Sequence, residues 1–208
     1  MTCSALSIRP AHDNDAEPVA AIYCPYVRDT AVSFEIEPPS SSVMAQRIRD
    51  TTATHPWLVA ELGGKVVGYS YASKHSQRAA SLWMVDATIY IDQQTRRSGV
   101  GRKLYAALIA TLYRQGFRSV LAEIVLPNPG SSRLHEVMGF KPIGIHKDIG
   151  FASGTWHDIA YWRLGLTEGA APPSEPIPFS SQKDTTELTD APARDLAVTQ
   201  QLPSSPLR

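Results

Sequence analysis

Apolar and polar positions follow two periods along the first 166 residues, and together they predict alternating helices and strands. Apolar residues spaced three and four apart predict four helices: one capped by residues 13–15, one starting after Ser41 or Ser42, one through Leu104, Leu108 and Leu112 that ends at Gly116, and a short one over residues 131–138. Runs of β-branched and aromatic residues predict strands at residues 7–9, 57–62, 65–71, 87–91, 119–126, 142–149 and 156–164. The resulting order, β-α-α-β-β-β-α-β-α-β-β, predicts an α+β fold around a sheet.

This hydrophobic pattern stops near Gly165. From Thr167 onward the chain is rich in proline, serine, threonine and acidic residues, and its few apolar residues, such as Phe179 and Leu188, follow no sustained period. A segment of this kind buries too little apolar surface to offset the entropy of ordering it. We therefore predict one folded domain over residues 1–166 and a mostly disordered tail over residues 167–208.

The composition argues against several classes of partner. With a formal net charge of zero and 19% charged residues, the chain has no global field that favours nucleic acid or an anionic membrane. Its longest apolar runs are far below the ~20 residues that span a bilayer, and the N-terminus lacks a basic segment followed by an apolar one. Cys3 and Cys24 form neither a disulfide framework nor a metal-binding spacing. We expect a cytoplasmic protein that binds no metal, nucleic acid or membrane.

The clearest chemical signal lies between the strand at residues 87–91 and the longest predicted helix. Arg96, Arg97 and Arg102 surround Gly99 and Gly101 there. Glycine lets a turn bring backbone N–H groups close to an anion, and the start of a helix adds the positive end of its dipole. The guanidinium groups add charge-assisted hydrogen bonds. The loop therefore predicts a pyrophosphate-binding site, although the same residues also fit an ordinary basic turn before a surface helix.

Two common phosphate-binding motifs do not match this loop. A mononucleotide-binding P-loop needs Gly-x-x-x-x-Gly-Lys-Ser/Thr, and a dinucleotide-binding fold needs a third glycine that is missing here. The pattern Arg96-x-x-Gly99-x-Gly101 instead resembles the acyl-coenzyme A loop of the GNAT N-acetyltransferase superfamily.

Several further strings sharpen the resemblance to one branch of that superfamily, the phosphinothricin and methionine sulfoximine/sulfone N-acetyltransferases. They lie at residues 8–11, 57–60, 86–91, 126–128, 134–140 and 154–158. The resemblance implies the GNAT acyl-CoA N-acyltransferase fold, a central mixed twisted sheet flanked by helices. It implies acetyl-CoA as the donor and a small amino acid, namely phosphinothricin, methionine sulfoximine or methionine sulfone, as the acceptor. It also implies a homodimer and a role in detoxification and herbicide resistance.

The same resemblance assigns the contacts to acetyl-CoA. Main-chain groups of the strand before the loop pair with the pantetheine arm, the loop binds the pyrophosphate, and polar residues after the next strand contact the arm. The residues implied are Ile89, Tyr90, Ile91, Arg96, Arg97, Ser98, Gly99, Val100, Gly101, Arg102, Asn128 and Ser131. A turn formed by Pro-Asn-Pro explains Asn128 equally well.

Two residues match the catalytic positions of these enzymes. Asp86 precedes the predicted strand at residues 87–91, where this branch usually has a glutamate taken as the general base. The shorter aspartate favours a proton path through water or a role in holding the ammonium group; a strand cap is the structural alternative. His135 matches a histidine near the thioester and has a pKa suited to proton transfer at neutral pH, although a lone histidine on a helix is often structural. His12, His55, His75 and His146 have no such match.

The acceptor side is defined by Phe34, Arg78 and Ser81. Phe34 resembles an aromatic wall of the pocket, although an ordinary core phenylalanine explains it nearly as well. Arg78 aligns with an arginine that would clamp a carboxylate. Ser81 stands where a tyrosine is common, and Ser76 stands where some members have lysine. These departures leave room for another amino acid or small amine as the acceptor. The shortened Asp86 and the long tail also leave open a catalytically weak acyl-CoA-binding module.

Overall fold

A seven-stranded mixed sheet runs through the described part of the chain, which comprises residues 5–169 and 174–181 of a computed structural model. The strands are β1 (Leu6–Pro10), β2 (Trp57–Leu62), β3 (Lys65–Lys74), β4 (Met84–Ile91), β5 (Ser119–Val125), β6 (Lys141–Ala152) and β7 (Thr155–Gly165). The helices are α1 (Ala16–Asp29), α2 (Ser41–Thr52), α3 (Val100–Gln115) and α4 (Pro129–Val137). The predicted order of helices and strands is confirmed.

The strands lie in the order β1-β2-β3-β4-β5-β7-β6. Within the described residues β4 and β5 are the parallel pair, and the other neighbours are antiparallel. The parallel pair is joined through α3, because parallel neighbours need a long crossover whereas antiparallel ones can be joined by a hairpin. The expected mixed sheet flanked by helices is therefore confirmed.

Two hydrophobic clusters cover the two faces of the sheet. One contains α3 together with Val85 and Ala87 of β4, and the other contains α1 and α2 with Tyr90 of β4 packed against it. Successive side chains of a strand point to opposite faces. Asp86, between Val85 and Ala87, therefore faces the side of α1 and α2.

Helix α3 follows the period of its sequence closely. Its apolar positions Leu104, Leu108 and Leu112 are fully buried, as their spacing of four predicts. The helix begins after Gly99 and ends before Gly116, both of which have positive φ angles, of 83° and 90°. A left-handed glycine at the C-terminal end satisfies the last carbonyl groups, here with the Gly116 N–H bonded to Leu112 and Tyr113.

The β3–β4 hairpin is longer than its sequence pattern predicts. β3 continues to Lys74 and β4 begins at Met84, because Ser73 pairs with Asp86 and Lys74 with Val85. Asp86 is therefore inside the strand, whereas the sequence predicted a position just before the strand. This register also brings the loop after Lys74 close to Asp86.

The segment after the last strand departs from the predicted disordered tail at residues 174–181, whereas residues 182–208 lie outside the described part of the chain. Phe179 is 6% exposed and belongs to the α3 hydrophobic cluster. The backbone of Ile177 exchanges hydrogen bonds with Gln115 at 2.7 and 2.8 Å, and the Phe179 N–H donates to the Thr54 carbonyl at 3.0 Å. One isolated aromatic residue with these backbone contacts attaches the segment to the domain.

Within residues 5–169 and 174–181, none of the helices combines the length and the apolar character that crossing a membrane requires.

Candidate active site

A gap opens in the sheet where β4 and β5 separate. The two strands pair at Met84, Val85 and Asp86 and then part. Beyond Asp86, β4 pairs with β3, and β5 pairs with β7. Among the residues that the structure describes, main-chain groups of the two strands that face the gap therefore have no strand partner, although buried backbone groups normally have a hydrogen-bond partner. An extended ligand with amide groups can bind such an edge by strand-like hydrogen bonds.

The arginine and glycine loop lies at the end of β4, next to this gap. The Asp92 carboxylate accepts a hydrogen bond from the Gln94 N–H at 2.8 Å and so fixes a short 3₁₀ turn at Gln93–Thr95. Arg97 then takes a positive φ of 63°, and Gly99 follows at 83°. A left-handed conformation is costly for arginine, and such backbone outliers often occur where function requires them. The loop is therefore fixed at its start by the 3₁₀ turn and enters α3 through two left-handed residues.

Helix α3 starts from this loop with its first N–H groups free of a side-chain cap, since Gly99 has no side chain. The first four N–H groups of a helix lack partners inside it and carry the positive end of the dipole. Arg96, Arg97 and Arg102 are exposed around them, and the Arg96 guanidinium lies over the Tyr26 ring at 5.1 Å from its centroid. The site can hold a pyrophosphate by backbone N–H groups and arginines together.

The side chains of β4 that precede the loop pack into the protein rather than into the gap. Ile89 and Ile91 lie against the α3 cluster, and the Tyr90 ring is 4.8 Å from the rings of both Tyr23 and Tyr26. The Tyr26 hydroxyl also donates to the Ile91 carbonyl at 2.6 Å. The sequence predicts that Ile89 and Ile91 act through main-chain groups, and with their side chains packed in this way only main-chain groups of the two can contact a ligand in the gap; the Ile91 carbonyl already accepts from Tyr26.

Asn128 and Ser131 lie at the start of α4, beyond the end of β5. The Asn128 side-chain oxygen accepts a hydrogen bond from the Ser131 N–H at 3.1 Å, so Asn128 is the N-cap of the helix. The structural alternative for Asn128 is thus present in the molecule. Its side-chain amide group makes no hydrogen bond within the described residues and can still donate to a ligand.

Asp86 lies at the point where β4 and β5 separate, with 31% of its side chain exposed. Its Oδ1 is 2.8 Å from Nδ1 of His75, a residue that sequence reasoning left without a role. Glu123 is two residues beyond Leu121, the partner of Asp86 on β5, and therefore faces the same side of the sheet. Partial burial, and then the nearby Asp86 carboxylate, raise the pKa of Glu123. A titratable cluster therefore lines the base of the gap.

His135 is not part of that cluster. It is 3% exposed, with its ring 5.2 Å from that of Tyr105 and 5.0 Å from that of Phe140. Its Nδ1 donates to the Ser131 carbonyl at 2.8 Å, and its Nε2 lies 3.1 Å from the Tyr105 hydroxyl. Burial lowers the pKa of His135.

The predicted direct role of His135 in proton transfer is inconsistent with this environment. Both ring nitrogens are occupied, and Tyr105 and Phe140 belong to the α3 cluster, on the face of the sheet opposite Asp86. The structural alternative, a buried and hydrogen-bonded histidine, describes the observed side chain. The sequence could not decide this, because the pattern of a short helix does not reveal which face will be covered.

Phe34, which the resemblance assigns to an aromatic wall of the acceptor site, lies in the segment between α1 and α2. Its side chain is 38% exposed and its ring centroid is 6.5 Å from that of His157 on β7. A Cβ atom at Gly150 on β6 would overlap the Phe34 ring, so only glycine allows this approach. The β6–β7 hairpin therefore packs against the Phe34 ring.

Arg78 and Ser81 lie in the loop between β3 and β4, beyond His75. Arg78 is exposed, and its guanidinium forms neither a hydrogen bond nor an ion pair within the described part of the chain. Ser81 is half-buried at the end of a 3₁₀ turn, Ala79–Ser81. The structure places both on the loop that carries His75, and leaves the Arg78 guanidinium free to contact a ligand.

A second arginine, which sequence reasoning missed, lies in a cavity of about 210 Å³ on the same face as Asp86. Arg47 on α2 binds both carboxylate oxygens of Glu35, at 2.8 and 3.0 Å, and Glu35 also accepts from the Tyr23 hydroxyl at 3.0 Å. The cavity is lined by Tyr23, Met44, Arg47, Thr51, Trp57, Tyr69 and Tyr71. Tyr71 is paired with Thr88, two residues beyond Asp86 on β4, so the cavity and the gap are neighbours.

A diverging strand pair that leads into a free helix N-terminus is the architecture of an acyl-coenzyme A-binding fold. The acetyltransferase (GNAT) domain family matches this chain over residues 8–161. The chain belongs to the GNAT acetyltransferase family, and the expected fold is thereby confirmed.

Individual relatives are consistent with this assignment. The chain is 36% identical to the phosphinothricin N-acetyltransferase of Streptomyces viridochromogenes over 83% of this chain and 94% of the relative. It is 31% identical to the L-methionine sulfoximine/L-methionine sulfone acetyltransferase of Pseudomonas aeruginosa, over 77% of this chain and 94% of the relative. A crystal structure of a phosphinothricin acetyltransferase from Sinorhizobium meliloti in complex with AcCoA superposes with a TM-score of 0.78 at 34% identity, and covers 82% of this chain and 94% of that one.

Proposed function

We propose that this chain transfers the acetyl group of acetyl-CoA to the amino group of a small amino acid analogue, with phosphinothricin, methionine sulfoximine and methionine sulfone as acceptors. The observation that carries the proposal is the gap between β4 and β5, which begins at an acidic residue and ends at the free N-terminus of α3. The similarity to relatives with these substrates in their names supports the acceptor class. An enzyme of this kind detoxifies phosphinothricin and so provides herbicide resistance.

Acetyl-CoA occupies the gap and the loop in this proposal. The pyrophosphate binds the first N–H groups of α3 and the guanidinium groups of Arg96, Arg97 and Arg102. The pantetheine arm binds main-chain groups of residues 89–91, with the side-chain amide of Asn128 as a further donor. This anchoring fixes the thioester beside Asp86, which removes much of the entropic cost of bringing the two substrates together.

The acceptor enters from the side of α1 and α2, where Asp86, Phe34 and the arginine-containing cavity lie. Its carboxylate needs a cation, which Arg78 supplies from the loop; Arg47 is already neutralised by Glu35. Phe34 packs against the apolar part of the acceptor. The free guanidinium of Arg78 is the feature that favours an anionic amino acid over a simple amine.

We also propose that the protein is a homodimer. β6 is an edge strand, and apolar side chains of the β6–β7 hairpin are exposed: Ile143, Ile145, Ile149, Phe151 and Trp156. Such a strand is normally covered or protected, and a second copy of the same hairpin would cover it with a self-complementary surface. Light scattering should give the mass of a dimer for the wild type and of a monomer for Ile145→Lys. A monomeric wild type at micromolar concentration would contradict the proposal.

A panel of acceptors tests the activity. Release of free coenzyme A thiol is measured with acetyl-CoA and each of phosphinothricin, methionine sulfoximine, methionine sulfone, other amino acids and simple amines. We expect turnover of the first three, a loss of about 10²-fold or more in Asp86→Asn, and no change in Asp50→Asn, whose exposed carboxylate bonds Gln46 on α2. Tight binding of coenzyme A without turnover of any acceptor would contradict the proposal and favour an acyl-CoA-binding module.

A further inference from the structure

The base of the gap contains a hydrogen-bonded histidine–aspartate pair that the sequence did not predict. His75, immediately after β3, directs Nδ1 at Oδ1 of Asp86, 2.8 Å away. Each side chain is 31% exposed, so the pair is partly desolvated and still accessible from solvent. The Nε2 atom of His75 makes no hydrogen bond with the described part of the chain. One nitrogen is therefore fixed and the other is free to accept a proton.

The position of the pair follows from the register of the sheet. Ser73 lies opposite Asp86, and β3 ends one residue later at Lys74, so the next residue lies beside the Asp86 carboxylate. Asp86 is also the last β4 residue that pairs with β5. The histidine is thus held where the two strands begin to separate, which is the place where the thioester and the amine have to meet.

Other titratable groups face the pair from neighbouring strands. Glu123 on β5 and Tyr161 on β7 are paired across their strands and lie on the same face as Asp86. Burial raises the pKa of Tyr161, and the carboxylates of Glu123 and Asp86 raise it further. Tyr71 on β3 is a further titratable group near Asp86. The imidazole therefore lies among carboxylates and phenols.

A short carboxylate is a poor proton acceptor for an ammonium group, both in reach and in basicity. An imidazole is ordinarily the stronger base at neutral pH, and a carboxylate bonded to Nδ1–H fixes the tautomer that leaves Nε2 as the acceptor. The ring also extends the reach of Asp86 by its own width. These properties compensate for an aspartate at a position where its side chain is one carbon shorter than glutamate.

We propose that His75 and Asp86 act as one proton-accepting pair, in which Nε2 of His75 takes the proton from the ammonium group of the acceptor and Asp86 orients the ring. The neutral amine then forms the bond to the acetyl carbon as the bond from that carbon to sulfur breaks. The second proton of the nitrogen neutralises the departing thiolate, and the imidazolium returns its proton to solvent. His75 is a catalytic residue in this scheme, and Asp86 is a positioning residue. The inference rests on the proposed acetyl transfer.

The pH dependence of kcat/KM, measured on wild type, His75→Gln, Asp86→Asn and the double variant, tests the pair. We expect His75→Gln to lose about 10²–10⁴-fold in kcat and to lose the acidic limb of the wild-type profile. The KM for acetyl-CoA should not change. The double variant should be no slower than the slower single variant, since the two residues act as a unit. His12→Gln is the matched control and should behave as the wild type, because His12 also contacts a carboxylate, that of Asp15, but lies before α1 with 62% of its side chain exposed.

A His75→Gln variant that folds and retains the wild-type rate and acidic limb would overturn the pair. Circular dichroism and coenzyme A binding establish that each variant is folded. The tautomer is measured independently by nitrogen-15 NMR of the histidine ring, where we expect Nδ1–H in the wild type and a mixture of tautomers in Asp86→Asn. If the wild type acetylates no acceptor, the proposed function fails, and the NMR result alone then supports or overturns the hydrogen-bonded pair.

Discussion

Substitution of Phe179 by alanine tests whether the segment at residues 174–181 is part of the domain. The ring is 6% exposed within the α3 cluster, so its removal takes away apolar contacts and leaves a cavity. A buried Phe→Ala change ordinarily costs about 3–5 kcal/mol. The cost here is limited by the free energy of detaching the segment, which is held by hydrogen bonds from Trp83, Ile177, Phe179 and Ser180. We expect a loss of about 2–4 kcal/mol in the free energy of unfolding.

Urea unfolding followed by circular dichroism measures this loss, and the thermal midpoint should fall by about 2–4 °C for each kcal/mol. Ile177→Ala is the control, because that side chain is 52% exposed and its backbone makes the contacts. Phe179→Ala should not change kcat at a temperature where the protein is folded. A Phe179→Ala protein with the stability of Ile177→Ala would show that the segment contributes no stability and would restore a domain that ends near residue 166.

Three further changes have expected outcomes. Gly99→Ala forces a residue with a side chain into a φ of 83°, which costs about 1 kcal/mol. The KM for acetyl-CoA should rise several-fold and the KM for the acceptor should not change. A wild-type KM for acetyl-CoA in the variant would count against the loop as the pyrophosphate site. Gly150→Ala displaces the Phe34 ring, so steady-state kinetics should show a higher KM for the acceptor and an unchanged KM for acetyl-CoA. A higher KM for acetyl-CoA with an unchanged acceptor KM would contradict the assignment of Phe34. Burial lowers the pKa of His135 in the folded protein. Below about pH 6.5 the unfolded chain therefore binds a proton that the folded chain does not. The free energy of unfolding should then fall with falling pH by up to about 1.4 kcal/mol per pH unit. His135→Gln should flatten this dependence in urea titrations between pH 5 and 7, and an unchanged slope would show that the ring is accessible to protons.

The sequence predicts the fold well, because its long elements have strong and regular periods. The three leucines of α3 follow a helical period, and the β-branched residues before the loop follow a strand pattern. The loop that ends at Gly99 separates the two. The edges of elements are less predictable, since they depend on partners from other parts of the chain. β3 reaches Lys74 because β4 pairs with it there, and no local signal marks that residue.

The same limit explains what sequence reasoning missed at the site. A partner for Asp86 is determined by the register of the β3–β4 hairpin, so His75 gains a role only when the register is known. The face that His135 occupies is determined by the packing of α4 against Tyr105 and Phe140. Phe179 is an isolated apolar residue in a polar segment. It is buried because it packs on the α3 cluster, a contact that the sequence pattern of the segment cannot show.

The alternation of side chains along β4 also determines which residues can share a proton with the acceptor. Val85 and Ala87 pack on the α3 side, and the residue between them faces α1 and α2, where the acceptor cavity lies. A base on that side faces the acceptor cavity directly. His135, on the other face, offers the acceptor no free ring nitrogen, because its two nitrogens are bonded to Ser131 and Tyr105. An acid–base pair on the acceptor side needs no proton relay across the core, and the register that ends β3 at Lys74 is sufficient to build it.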